Sequence, residues 1–116
     1  MRMTRRELID YCLTFPDAYE DYPFHDDVWA VLRHRSNRKA FAFLYEHGGK
    51  LCANLKIDPM TGDFLRQAVS YVRPGYHMNK THWITLVIDD CPGEKEAYPL
   101  IEESYRLTKM DKKHRN

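Results

Sequence analysis

Two adjacent glycines, Gly48 and Gly49, separate two runs of strand-forming residues, Ala-Phe-Ala-Phe-Leu-Tyr at 40–45 and Leu-Cys-Ala-Asn-Leu-Lys-Ile at 51–57. A connection this short joins only antiparallel neighbours, because a parallel pair needs a crossover of roughly a dozen residues or more. The glycines supply the positive φ angles that a tight hairpin turn demands. Upstream, Val-Trp-Ala-Val-Leu-Arg at 28–33 is a third β-rich run, parted from the next by a turn at Ser36-Asn37. Three such runs joined by short turns make an antiparallel meander. Within it, Phe41, Phe43 and Tyr45 are expected on one face, and Leu51, Ala53, Leu55 and Ile57 alternate against Cys52, Asn54 and Lys56.

The flanking segments read as helices and one more strand. Thr4-Arg5-Arg6-Glu7 has the form of a capping box, and Leu8, Ile9, Cys12 and Leu13 follow at helical spacing, which predicts a helix over 4–14. The acidic stretch 17–27, with Pro23, reads as an ordered surface loop whose Tyr19, Tyr22 and Phe24 turn inward. Asp58-Pro59 starts a second helix over 59–70 with Phe64, Leu65, Ala68 and Val69 as its buried stripe. Gly62 weakens that helix by about 1 kcal/mol relative to alanine. A short extended piece at 72–78, a strand at 83–88 and a last helix over 94–110 complete the chain. The order is α-β-β-β-α-β-β-α, which predicts a two-layer α+β fold with a mostly antiparallel sheet, in one domain spanning 1–116.

Three widely spaced cysteines, Cys12, Cys52 and Cys91, form no C-x-x-C pair and read as small buried thiols in a reducing compartment. The amino terminus has no apolar core of a signal peptide, and no window approaches the roughly 20 apolar residues of a membrane helix. The expectation is a cytoplasmic protein with no membrane partner. The net charge of +1 conceals segregation: residues 33–82 hold nine Lys and Arg against three Asp and Glu, a local +6. A basic face is therefore compatible with a balanced total.

Candidate binding residues fall into two stretches. Residues 73–83 gather His77, Asn79, Lys80, His82 and Trp83 beside Pro74-Gly75, a density of polar tips typical of binding loops or of a loop locked to its sheet. Arg33, Arg35, Arg38 and Lys39 lie within seven residues at a hairpin tip, a wing suited to a phosphate backbone, with Asn54 and Lys56 on one face of the third strand. His77 and His82 lack a third ligand nearby, so no metal is expected. No phosphate-cradling glycine loop, nucleophile elbow or zincin helix occurs, so no cofactor and no enzyme activity are expected. The acidic group Glu20, Asp21, Asp26 and Asp27 reads as a solvated loop, and the tail 109–115 as a solubilising end.

The chain resembles the MmcQ/YjbR family of small bacterial proteins. The resemblance rests on T-R-R-E-L-I-D-Y-C-L at 4–13, Y-P-F at 22–24, A-F-A-F-L at 40–44, N-L-K at 54–56 before Asp58-Pro59, and above all P-G-Y-H-M-N-K-T-H-W at 74–83. It implies a compact fold similar to the CyaY (frataxin-like) arrangement, a double wing, together with a DNA-binding role and no enzymatic activity. His25 departs from the glycine expected after Pro-Phe, and the hairpin at 33–39 is longer and more basic than the family pattern. The expectation drawn from residues and resemblance together is a monomeric module that binds duplex DNA without sequence preference. The alternative is a protein- or small-ligand-interaction domain whose pocket lies between the aromatic sheet face and the 74–83 loop.

Overall fold

The computed structural model describes residues 3–109. It contains α1 (Arg5–Leu13), β1 (Ala18–Asp21), β2 (Ala30–His34), β3 (Ala40–His47), β4 (Lys50–Lys56), α2 (Pro59–Ala68), β5 (Val72–Pro74), β6 (Trp83–Val87) and α3 (Glu94–Lys109), with a 3₁₀ turn at Ile88–Asp90. The strands form one sheet in the order β1-β2-β3-β4-β6-β5, and every neighbouring pair is antiparallel. The fold is α+β, as expected. Thr4 caps α1 reciprocally: its hydroxyl accepts from the Glu7 amide at 3.1 Å, and the Glu7 carboxylate accepts from the Thr4 amide at 2.9 Å. Gly48 and Gly49, with φ of 61° and 77°, make the β3–β4 turn.

All three helices cover one face of the sheet. Leu8, Ile9 and Cys12 of α1 and Ala97 and Ile101 of α3 join Leu32, Leu44, Leu55, Ile84 and Leu86 in one core. The second face carries a separate cluster of Tyr45, Cys52 and Val87 with Trp29, Tyr71 and Tyr76, none of them in a helix. No helix among the described residues is long and apolar enough to cross a membrane.

Four expectations need correction. The acidic segment 17–27 is not all loop: Ala18–Asp21 is a strand at the sheet edge, so the order gains a strand ahead of the meander. Every residue of β1 is half-buried, so no alternation of apolar and polar residues announces it. Phe24, expected to turn inward, stands 56% exposed.

Helix α2 lies on a different face from the one its apolar residues mark. Phe64 is 67% and Met60 83% exposed, while Gly62 is buried and Leu65 and Val69 are half-buried. A methyl group on Gly62 would stand 2.9 Å from Ile57 Cγ2, so the glycine is the contact point between helix and sheet. Counting apolar side chains alone rotates the stripe by about one residue and misses this.

Phe41 does not share a face with Phe43 and Tyr45. Leu32 pairs with Ala42 and Arg33 with Ala40, which leaves Phe41 as the extra residue of a β-bulge. The bulge turns its ring into the helical core, against Phe15 and Tyr105. The fully buried Ser104 of α3 repairs the interrupted ladder. Its hydroxyl donates to the Phe41 carbonyl at 2.6 Å and accepts from the Lys56 amide at 2.8 Å.

The extended piece expected over 72–78 is a strand only at Val72–Pro74, because the chain turns at 76–78. The other elements differ by one or two residues at their ends, the ordinary scatter of helix and strand boundaries. Those concerning residues 110–116 lie outside the described range.

Candidate functional site

Of the sequence candidates, Arg33, Lys39, Asn54, Lys56 and His77 come together on the face that the helices leave open. Arg35, Arg38, Asn79, Lys80 and His82 line none of the three hollows there. Asn54 is fully buried at the centre of that face. Its Oδ1 accepts from the Tyr45 hydroxyl at 2.6 Å and the Thr85 hydroxyl at 2.7 Å, and its Nδ2 donates to the Tyr76 carbonyl at 2.8 Å. The Tyr76 amide in turn donates to Thr85 Oγ1 at 2.9 Å. Burial pushes the Tyr45 phenol up to about 12, which keeps it protonated as a donor. The node grips the backbone of Tyr76 on both sides and lays the 74–83 loop across the sheet. Asn54 is thus a structural anchor out of reach of a ligand.

The rest of that loop is braced from within. Asn79 Oδ1 accepts from the amides of Thr81 and His82, at 2.9 Å and 3.1 Å. Lys80 Nζ donates to the carbonyls of Gly75, at 2.6 Å, and Met78, at 3.0 Å, which directs its charge inward. The His82 side chain is exposed, while its carbonyl accepts from the Ile57 amide at 3.0 Å. Gly75 is buried because a methyl group there would lie 2.9 Å from the Trp83 carbonyl oxygen. His77 is exposed at φ 61°, its ring tilted by 38° against Tyr76 at 4.0 Å. His25, where a glycine was expected, also sits in the left-handed region at φ 63°. The backbone there has the conformation glycine favours, reached by another residue.

The basic hairpin is anchored at several points. Arg33 Nε donates to the Asp21 carboxylate at 2.8 Å and its Nη1 to the Arg38 carbonyl at 2.9 Å. The Arg35 guanidinium lies 5.2 Å from the Tyr19 ring centre. The Ser36 amide donates to Asp17 at 2.9 Å, which holds that carboxyl below its ordinary range, and Asn37 Nδ2 donates to the Thr108 carbonyl at 3.1 Å. His34, between them, is fully buried. The Thr108 hydroxyl donates to the Ser104 carbonyl at 2.8 Å and therefore accepts from His34 Nε2–H at 2.7 Å. Burial lowers the His34 pKa.

Three hollows run along the open face. A groove of about 300 Å³ is lined by Arg33, Lys39 and Lys56 around Phe43 and Trp83. Lys39 and Lys56 have interactions of their own. Phe43 also borders the middle hollow, of about 440 Å³, which holds Phe24, Trp29, Tyr45, Tyr76 and His77 together with the carboxylates Asp26 and Glu46. Tyr45 and Tyr76 border the third, of about 340 Å³, with Arg73 and the ion-paired Lys50 and Asp90. Sequence reasoning did not single out Trp29, Tyr45, Arg73 or Phe24 as site residues. The alternation of β3 is the one signal that places Phe43 and Tyr45 on this face. No group of three or more His, Cys, Asp or Glu positioned for a metal occurs among the described residues.

The YjbR family model matches residues 13–107. Over 118 aligned positions the sequence is 35% identical to the uncharacterised protein YyaQ of Bacillus subtilis, with 92% of this chain and 99% of that protein covered. It is 34% identical to the uncharacterised protein YjbR of Escherichia coli K12, with 90% and 86% covered. A crystal structure of a Pseudomonas syringae protein superposes with a TM-score of 0.80 at 36% identity, covering 91% of this chain and 99% of that one. A Deinococcus radiodurans protein with a DUF419 domain superposes with a TM-score of 0.81 at 33% identity, covering 97% and 82%.

Proposed function

This chain belongs to the YjbR family, and from that premise we propose that it is a non-enzymatic nucleic-acid-binding module contacting phosphates at the β2–β3 end of its open sheet face. The observation that carries the reading is the groove where Arg33, Lys39 and Lys56 converge around Phe43 and Trp83. Two strands and a turn deliver these charges to one place, and the exposed Arg38 lies on the same turn. Against a catalytic role, burial raises the thiols of Cys12, Cys52 and Cys91 above their ordinary range, away from the thiolate a nucleophile needs. The hydroxyls of Tyr45 and Thr85 are committed to the Asn54 node.

With Arg38 added to the three cations of the groove, neutralising about four phosphates gives a slope of log affinity against log salt near −3.6 for duplex DNA. The test is a fluorescence-anisotropy titration of a labelled duplex at several salt concentrations, with the parent and the double variant Arg38→Ser, Lys39→Ser. The slope should flatten by about 2 in the variant. Unchanged binding by the variant removes the hairpin from the contact. The interaction-domain reading is favoured by the middle hollow, which the 74–83 loop walls with aromatic rings. Absence of nucleic-acid binding at low salt leaves that reading in place.

A further inference from the structure

We propose that the middle hollow of the open face is a stacking site for one unpaired nucleobase, so that the face takes single-stranded nucleic acid in preference to duplex. The inference rests on the nucleic-acid reading above and adds a second kind of contact to it. Trp29 stacks on Tyr45 with ring centres 4.1 Å apart and planes within 14°. Tyr76 lies 6.4 Å from Trp29 with planes within 10°, and 5.8 Å from Tyr45 within 25°. Tyr45 is buried beneath Trp29, and the half-buried rings of Trp29 and Tyr76 give a planar ligand one common orientation in which to lie. Phe24 meets Trp29 edge-on, at 6.1 Å and 80°, and is more than half exposed, so a large apolar ring borders the hollow in solvent.

The charges around these rings sort the parts of a nucleotide. Phosphate is favoured at the ends, where Arg33, Lys39 and Lys56 stand beyond Phe43 and Arg73 stands beyond Tyr76. In the middle, Asp26 and Glu46 oppose a phosphate but accept hydrogen bonds from the exocyclic amine of a base. A strand that crosses the face therefore sets backbone at the cations and a base among the rings. A base within a duplex has both faces covered by its neighbours and cannot enter. The backbone of Tyr76 is already fixed by Asn54 and Thr85, so the ring wall needs no rearrangement before binding.

The test uses three labelled probes of equal length: a mixed-sequence single strand, its duplex, and a single strand of abasic sugar-phosphate units. The full single strand should bind most tightly and quench tryptophan fluorescence. Tyr76→Ala should weaken that probe by roughly 5- to 150-fold, the range for one lost base–aromatic stack, and Phe24→Ala by roughly 2- to 12-fold, the range for one edge-on aromatic contact, while both leave the abasic strand and the duplex unchanged. Phe24→Ala truncates an exposed side chain and so tests the site even if Tyr76→Ala unfolds. Equal affinity for abasic and full strands, or no effect of Phe24→Ala on the full strand, overturns the stacking site while the phosphate reading stands. Failure of all three probes to bind at low salt overturns both.

Discussion

Ser104→Ala tests the account of the bulge most directly, because it removes a hydroxyl and almost no volume. The Ser104 hydroxyl bridges the two backbone groups that the extra residue Phe41 leaves unpaired, the Phe41 carbonyl at 2.6 Å and the Lys56 amide at 2.8 Å. With alanine at this fully buried position both groups lose this hydrogen bond. Each orphaned buried polar group costs about 1–3 kcal/mol. Alanine returns about 0.5 kcal/mol through its better helix propensity. The expected net loss is about 1.5–5.5 kcal/mol, and a domain of this size loses about 3–6 °C of melting temperature per kcal/mol. Urea denaturation monitored by tryptophan fluorescence, with a calorimetric melt alongside, measures both quantities. A loss below about 1 kcal/mol at an unchanged urea m-value would show that the bulge is satisfied without Ser104, and the repair described here would be wrong.

Gly75→Ala should cost about 1–3 kcal/mol, since the new methyl group would meet the Trp83 carbonyl oxygen at 2.9 Å and push the loop off β6; a melt equal to the parent's refutes the close approach. His34 gives stability a pH dependence. Its pKa is lowered by burial, so the unfolded chain binds the extra proton first, and stability is full above about pH 6.5 and declines as the pH falls below it. His34→Gln should flatten that decline between about pH 7.5 and 5.5 in denaturant titrations, and an unaltered slope assigns it to other groups. Burial pushes the Cys12 thiol up to about 12 and also raises Cys52 and Cys91, so a maleimide should label the native protein slowly and all three thiols rapidly in denaturant. Rapid native labelling would mean that the core opens readily.

The meander, the capping box and the Asp58-Pro59 helix start were legible because each is a local rule about neighbouring residues. The strand β1 was not, because Ala-Tyr-Glu-Asp is recruited by the exposed edge of β2 and has no pattern of its own. Phe41 illustrates a second limit: alternation assigns it to the open face, and the bulge sends it to the other. The bulge becomes visible only in the pairing of β3 with β2. The site was half legible. The 74–83 loop and the basic hairpin stood out by composition, yet Asn54 spends its polar tip inside the protein and Lys80 spends its on the carbonyls of its own loop. Trp29, Tyr45 and Tyr76 come from separate stretches of chain, and their near-parallel arrangement depends on sheet register and on the Asn54 node.

That node has a consequence for how the surface can diversify. It holds position 76 by main-chain atoms alone, through the Tyr76 amide and carbonyl, and takes nothing from the ring. The ring itself packs on Tyr45 and Trp29, so the position is interchangeable among aromatic side chains at little expense to the scaffold, much as an antigen-binding loop varies on a constant framework. Tyr76→Phe, Tyr76→His and Tyr76→Trp, with Asn54 and Thr85 kept, should leave the protein folded while its preference among planar ligands changes.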